Sequence, residues 1–309
     1  MESRKKIEQA ETYLKENKYN QAIGLLREIH EACPEEESVL LMLAWAYYDS
    51  GDIEQALHCF HHLFEIELRR KVFTGFAYDE LVRIYKQEKK YYDLVKICEK
   101  AVAAQNEDKG LLIELGNAYL QAGRAREACA VYEKIIETEK DDAALYCLWG
   151  EALFADGFFA ESEGAFAQAG KTDPEQEEHF YFKLAVLFQK AQKHQDAIRL
   201  AQKCIAQKQD NPLYYCFLGD SYIGLQELEK AFAAYEEAAA CADSKSKAFY
   251  YHRLGTSLLK ARFFAEAARY FQIALDFEDN PACVKGLIYA YQGMGREDKA
   301  QEVIRARQK

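Results

Sequence analysis

Residues 111–136 read LLIELGNAYLQAGRAREACAVYEKII, and their spacing decides the fold. Leu115, Gly116 and Tyr119 stand at i, i+1 and i+4, on one face of a helix. Gly123 follows as a residue that can end that helix at positive φ. Ala128 and Tyr132, four residues apart, then give a second helix its own face. A small residue lets the other helix approach closely while the aromatic fills the volume beside it. The two helices therefore read as an antiparallel pair.

The same arrangement recurs from end to end, the first thing to look for in any chain. The small residue early in the second helix is Ala22, Ala56, Leu94, Ala128, Ser162, Ala197, Ala231, Ala267 and Ala300, at gaps of 34, 38, 34, 34, 35, 34, 36 and 33. Twelve residues before each lies Ala10, Ala44, Val82, Gly116, Gly150, Ala185, Gly219, Gly255 or Ile288. Three residues further on comes a mostly aromatic series: Tyr13, Tyr47, Tyr85, Tyr119, Leu153, Phe188, Tyr222, Leu258 and Tyr291. Phe60, Tyr132, Phe166, Tyr235 and Phe271, four residues after the second-helix Ala or Ser, are expected to pack toward the next repeat. Gly51, Gly123, Gly157 and Gly295 punctuate the first helices, and Pro34 and Pro174 fall between repeats.

These residues resemble the tetratricopeptide repeat (TPR) family, whose unit reads roughly W-x2-L-G-x2-Y, then A-x3-F, then P, at a period of about 34. The resemblance implies an all-α chain, a right-handed α–α superhelical solenoid of helix-turn-helix repeats running over 1–309. The repeats fall at 3–36, 37–70, 75–108, 109–142, 143–176, 178–211, 212–245, 248–280 and 281–309. The charged first helix, with Lys5, Lys6, Glu8 and Glu11, and the polar last one suit terminal units whose outer faces meet water. The four extra residues at 70–74 mark a candidate joint, through a longer helix or loop.

The resemblance also implies where a partner sits, because family positions 2, 5, 9 and 12 of each first helix line a concave groove. Repeats 2 and 3 then offer Leu41, Trp45 and Tyr48, followed by Phe76, Asp79, Arg83 and Lys86. Repeats 4 and 5 offer Ile113, Asn117 and Leu120, then Cys147, Glu151 and Phe154. Repeat 6 contributes Phe182, Val186 and Gln189, repeat 7 Cys216, Asp220 and Ile223, and repeat 8 Phe249, His252, Thr256 and Leu259. Such a lining is more apolar than solvated surface requires, which suits an extended peptide or an amphipathic helix. The Lys/Asn set with which some family members clamp a C-terminal carboxylate is absent, since Ile113 and Leu148 stand where it needs polar residues.

The function expected is a scaffold or adaptor for other proteins. The alternatives are a self-assembling structural protein, a homo-oligomer, or a regulatory subunit of a larger complex. A net charge of −11 argues against nucleic acid and reads as solubility with some preference for neutral or basic partners. No stretch of about 18 apolar residues suggests a membrane span, and the N-terminus lacks a signal peptide's apolar region, so a cytoplasmic protein is expected. Nine dispersed cysteines, none closer than 12 residues to the next, read as reduced and mostly buried. His58, His61 and His62 in HCFHH invite a metal, but no third ligand is fixed by spacing. Gly170-Lys171-Thr172 lacks the first glycine and strand of a phosphate loop, and Gly293-Met294-Gly295 lacks the third glycine of a dinucleotide motif. Neither enzyme chemistry, a cofactor nor a metal is expected.

Overall fold

A computed structural model describes residues 2–71, 73–241 and 246–307. Its backbone is helical throughout, with eighteen α-helices and one short 3-10 turn among the described residues. The chain forms two compact units, Met1–Glu139 and Lys140–Lys309. In the first unit the leading or A-helices are α1 (Glu2–Lys15), α3 (Glu37–Ser50), α5 (Phe76–Gln87) and α7 (Lys109–Gln121). Their B-helices are α2 (Tyr19–Ala32), α4 (Ile53–Arg70), α6 (Tyr91–Ala104) and α8 (Ala125–Thr138). In the second unit the A-helices are α9 (Ala143–Ala155), α11 (Glu177–Lys190), α13 (Pro212–Gly224), α15 (Lys247–Lys260) and α17 (Pro281–Gly293). They alternate with α10 (Phe159–Thr172), α12 (His194–Gln207), α14 (Leu228–Ala240), α16 (Phe264–Phe277) and α18 (Glu297–Ala306).

Every small residue of the B-helix series, from Ala22 to Ala300, is wholly buried. The large residue four positions later does more than reach toward the next repeat, as its position alone suggests. It first lies against the small residue of its own A-helix. A Cβ on Gly116 would stand 2.6 Å from the Tyr132 ring, one on Gly150 2.8 Å from Phe166, and one on Gly219 2.5 Å from Tyr235. Phe271 meets both sides: it lies over Gly255 in its own repeat and over Gly286 in the next. Tyr132, Tyr235, Phe60, Phe166 and Phe271 are accordingly among the largest side chains with almost no exposure. Each such ring withdraws enough apolar surface to contribute about 1.5–3 kcal/mol. Where Ser162 replaces the B-helix alanine, its buried hydroxyl donates to the Gly150 carbonyl at 2.7 Å, so the polar atom is satisfied.

All nine A-helices end alike. Asn17, Gly51, Lys89, Gly123, Gly157, Gln192, Gln226, Arg262 and Gly295 each take positive φ, between 56° and 89°. The amide one residue further on then donates back to the carbonyl of Tyr13, Tyr47, Tyr85, Tyr119, Leu153, Phe188, Tyr222, Leu258 or Tyr291. The aromatic series thus also supplies the acceptor that closes each helix, the 6→1 bond of a Schellman turn. Five of the nine left-handed positions carry a side chain, which costs about 1 kcal/mol or more at each and leaves no glycine to read. At the other ends, Asp52, Asp108, Asp142, Asn211 and Asn280 cap the following helix with a side-chain oxygen on a backbone N–H.

The extra residues near 70–74 lengthen a helix: α4 runs 18 residues where α2, α6 and α8 run 14. The added turn places Arg69 at 3.0 Å from Glu35 and pairs Arg70 with Glu37. Phe73 then tucks against Phe64 and Tyr78, and Gly75 at φ +82 opens α5. Val72, within that candidate joint, lies outside the described residues, as do 242–245 at the end of repeat 7. At the last repeat only Ala300 of α18 is buried.

Two outcomes follow for stability, both read from the midpoint of thermal or urea unfolding. Helix propensity alone makes Gly→Ala worth about 0.5–1 kcal/mol of stabilisation inside a helix. Gly24 and Gly164 face open space and should show that gain, whereas Gly219→Ala should destabilise because its Cβ meets the Tyr235 ring. Replacing Gln226 or Arg262 by Gly should raise stability by about 0.5–1 kcal/mol, since the left-handed turn is kept and the Cβ clash removed.

Candidate partner-binding face

Positions 2, 5, 9 and 12 of an A-helix share one face, and the two units hold theirs differently. In the first unit Trp45 is half-buried, packed edge-on against Phe60 with ring centroids 5.5 Å apart, and against Tyr48 at 5.7 Å. The Arg83 guanidinium lies 4.8 Å from the Tyr48 ring centroid and 5.8 Å from that of Trp45. Arg83 also donates to the Tyr48 hydroxyl at 3.0 Å and to Glu80 at 2.8 Å. Lys86 pairs with Glu114 at 2.7 Å. Asp79 is exposed with no ion-pair partner among the described residues, and partial burial followed by neighbouring Glu80 holds its carboxyl above the usual range. Beside this cluster a cleft is lined by Leu41, Leu63, Phe76 and Ala77, with Glu37 and Glu67 at its margin. Ile113 and Leu120 are half-buried, and Asn117 accepts the Tyr132 hydroxyl at 2.9 Å.

The second unit is knitted laterally from one A-helix to the next. Glu151 on α9 is ion-paired with Lys183 on α11. Gln189 on α11 donates to Ser221 on α13 at 3.0 Å. Asp220 on α13 accepts Arg253 of α15 at 3.1 Å and the Tyr235 hydroxyl at 2.6 Å. Phe182 packs between Tyr214 and Phe217, at 4.9 and 5.1 Å, while Phe154 sits against Phe159 and Phe188. Val186, His252 and Leu259 are half-buried, but Ile223, Cys147 and Cys216 are buried and offer little to a visitor. The rows that do project are Leu213 and Phe249 at position 2, and Tyr289 at position 9. Leu213 and Tyr289 escape a reading of the lining by composition, because a position-2 leucine and a lone tyrosine look like any other helical hydrophobe.

The histidines of HCFHH go three ways: His58 is exposed, His61 hydrogen-bonds the Tyr85 hydroxyl, and His62 stands edge-on to His30 at 5.6 Å. Among the described residues no group of three His, Cys, Asp or Glu side chains is placed to hold a metal. Gly170-Lys171-Thr172 forms the last turn of α10, with Thr172 bonded back to the Gln168 carbonyl. Of the nine cysteines only Cys33 and Cys241 are exposed, and burial pushes the Cys98, Cys204 and Cys216 thiols up to about 12. No described helix is long and apolar enough to cross a membrane.

Three family models, each of the tetratricopeptide repeat, match residues 13–67, 111–144 and 182–246. A tetratricopeptide repeat protein from Parabacteroides merdae ATCC 43184 superposes with a TM-score of 0.51 at 15% identity, over 82% of this chain and 98% of its own. The chain is a tetratricopeptide repeat protein. This TPR chain is also similar to MamA, with a TM-score of 0.43 at 20% identity over 57% of this chain and 95% of that one. Yeast Tom70 gives 0.40 at 14% identity, over 98% and 91%. A search by sequence among curated proteins returns no match.

Three half-buried imidazoles of this TPR protein make its stability depend on pH. Burial holds His30, His61 and His252 below the ordinary value of 6.5. The unfolded chain therefore binds protons first as pH falls, so their contribution is intact above about 6.5 and is lost below it. Melting temperature should drop between about pH 7 and pH 5, before the carboxylates titrate. His61→Phe should flatten that drop; a profile unchanged by it would remove His61 from the account.

Proposed function

We propose that this TPR protein is an interaction scaffold whose A-helix faces receive a peptide or amphipathic helix of a partner protein. One observation supports the reading above the others. Of the seven large apolar side chains that stand most exposed among the described residues, Phe76, Leu213, Phe249 and Tyr289 lie at positions 2 or 9 of A-helices. The other three, Tyr92, Phe158 and Phe277, lie at the ends of B-helices, whereas the B-helix rings Phe60, Tyr132, Phe166, Tyr235 and Phe271 are spent on the core. Exposed apolar groups recurring on the A-helix face of each unit are what a docking face offers before its partner arrives.

The structure also decides which substitutions test this. Trp45, Tyr48 and Phe182 are tied into neighbouring rings, so their loss would weaken the fold along with any binding. Phe76, Leu213 and Phe249, at 44%, 43% and 59% exposure, can be shortened at little cost. Phe76→Ala, Leu213→Ala and Phe249→Ala together should leave the melting temperature within about 3 °C, since surface changes of this kind cost about 0.5 kcal/mol or less each. The triple variant should nevertheless recover partner proteins from a lysate at least about tenfold less well, a loss of about 1.4 kcal/mol. Equal recovery by the intact and triple-variant chains would place binding elsewhere.

A further inference from the structure

The A-helix face of the second unit has a charge opposite to that of the chain. Along positions 2, 5, 9, 12 and 13 of its five A-helices the only carboxylates are Glu151 and Asp220. Both are already matched, Glu151 by Lys183 and Asp220 by Arg253 and the Tyr235 hydroxyl. What remains ionised on that face is cationic. Lys190 and Lys260 end α11 and α15, exposed and without a carboxylate partner among the described residues. Lys285 is exposed on α17, and its ammonium lies 5.7 Å from the Tyr289 ring centroid. Overall the protein carries −11, so surplus cations on this face run against its composition.

These charges share their face with Leu213, Phe249 and Tyr289, the exposed apolar groups of the same unit. The lateral bonds Glu151–Lys183, Gln189–Ser221 and Asp220–Arg253 set the A-helices side by side and use up the acids that could have neutralised the lysines. An arriving carboxylate would therefore find cations that need not leave an existing partner. A basic segment would meet uncompensated like charge, and such juxtaposition selects against it.

Resting on the docking reading above, we infer that the second unit takes an acidic segment of a partner protein. It would seat apolar side chains on Leu213, Phe249 and Tyr289 and direct Asp or Glu residues to Lys190, Lys260 and Lys285. Its affinity falls with salt, because exposed charges are screened over roughly 10 Å at 0.1 M ionic strength. The first unit differs: on the same positions Glu11, Asp49 and Asp79 are exposed without an ion-pair partner among the described residues, against Lys15 alone, so the preference belongs to one face rather than to the whole chain.

The test is selection from a display library of random peptides, about 15 residues long, against the full chain. Enriched peptides are then synthesised and titrated against the intact protein, Lys260→Glu/Lys285→Glu and Leu213→Ala/Phe249→Ala. Circular dichroism confirms that each variant is folded. The expected result is a pool rich in Asp, Glu and large apolar residues. Its binding should weaken at least about tenfold on charge reversal and on loss of the apolar pair, and also between about 50 and 500 mM salt. A basic or neutral pool, or affinity within about twofold after charge reversal, overturns the acidic-segment inference. If that pool still depends on Leu213 and Phe249, the docking reading stands. Binding indifferent to the apolar pair, or no enrichment at all, overturns both for this unit.

Discussion

Where Tyr132 lies on Gly116, Phe166 on Gly150 and Tyr235 on Gly219, two helices approach so closely that a Cβ on the glycine would overlap the ring. The rest of the structure depends on that contact. It sets the separation of helix A from helix B, and so the register at which the wholly buried Ala or Ser of helix B meets its partner. The tyrosines have a second use. Their hydroxyls pass beside the glycine and reach Asn117 and Asp220 on the A-helix face, so a core ring holds a residue of that face in place. Packing and site are thus one piece of architecture, and a change in the first is felt in the second.

Most of this fold is legible in the sequence because its rules are local. The period of the small residues recurs through nine repeats, the aromatic three positions after the A-helix small residue in seven and the glycine after the A-helix in four, and each has one physical meaning. What stays hidden is equally specific. Lys89, Gln192, Gln226 and Arg262 hold the same left-handed turn as Gly51, yet nothing in their chemistry announces it. The ring-on-glycine contact joins residues of one repeat, whereas position alone suggests contact with the next. The A-helix face is harder still. Family positions name its residues but not their exposure: Ile223 and Cys216 are buried, while Leu213 and Tyr289 project. Exposure is decided by neighbours one repeat away, which a single repeat's sequence does not contain.

The two units use the same helical frame to present different surfaces. In the first, Arg83 is folded over Tyr48 and Trp45 and beside Glu80, while Asp79 is left without a counter-ion. In the second, the carboxylates are consumed by lateral bonds between A-helices and the lysines are left. Such faces can vary most freely at their exposed positions, such as Phe76, Leu213, Phe249 and Tyr289, whereas Asn117 and Asp220 are bonded to the rings of the ring-on-glycine contact. The two units therefore differ in which ions the lateral bonds leave unmatched.

The contact between Gly219 and Tyr235 is the point at which this account is most exposed. A double-mutant cycle measures it directly: Gly219→Ala, Tyr235→Leu and the pair, each followed by urea unfolding. Leucine removes the ring that the new Cβ would strike. The account predicts that Gly219→Ala is destabilising beside Tyr235 but neutral or stabilising beside leucine, with a coupling of about 1 kcal/mol or more. Costs that simply add, within about 0.3–0.5 kcal/mol, would contradict it and show that the ring and the glycine do not hold the two helices together.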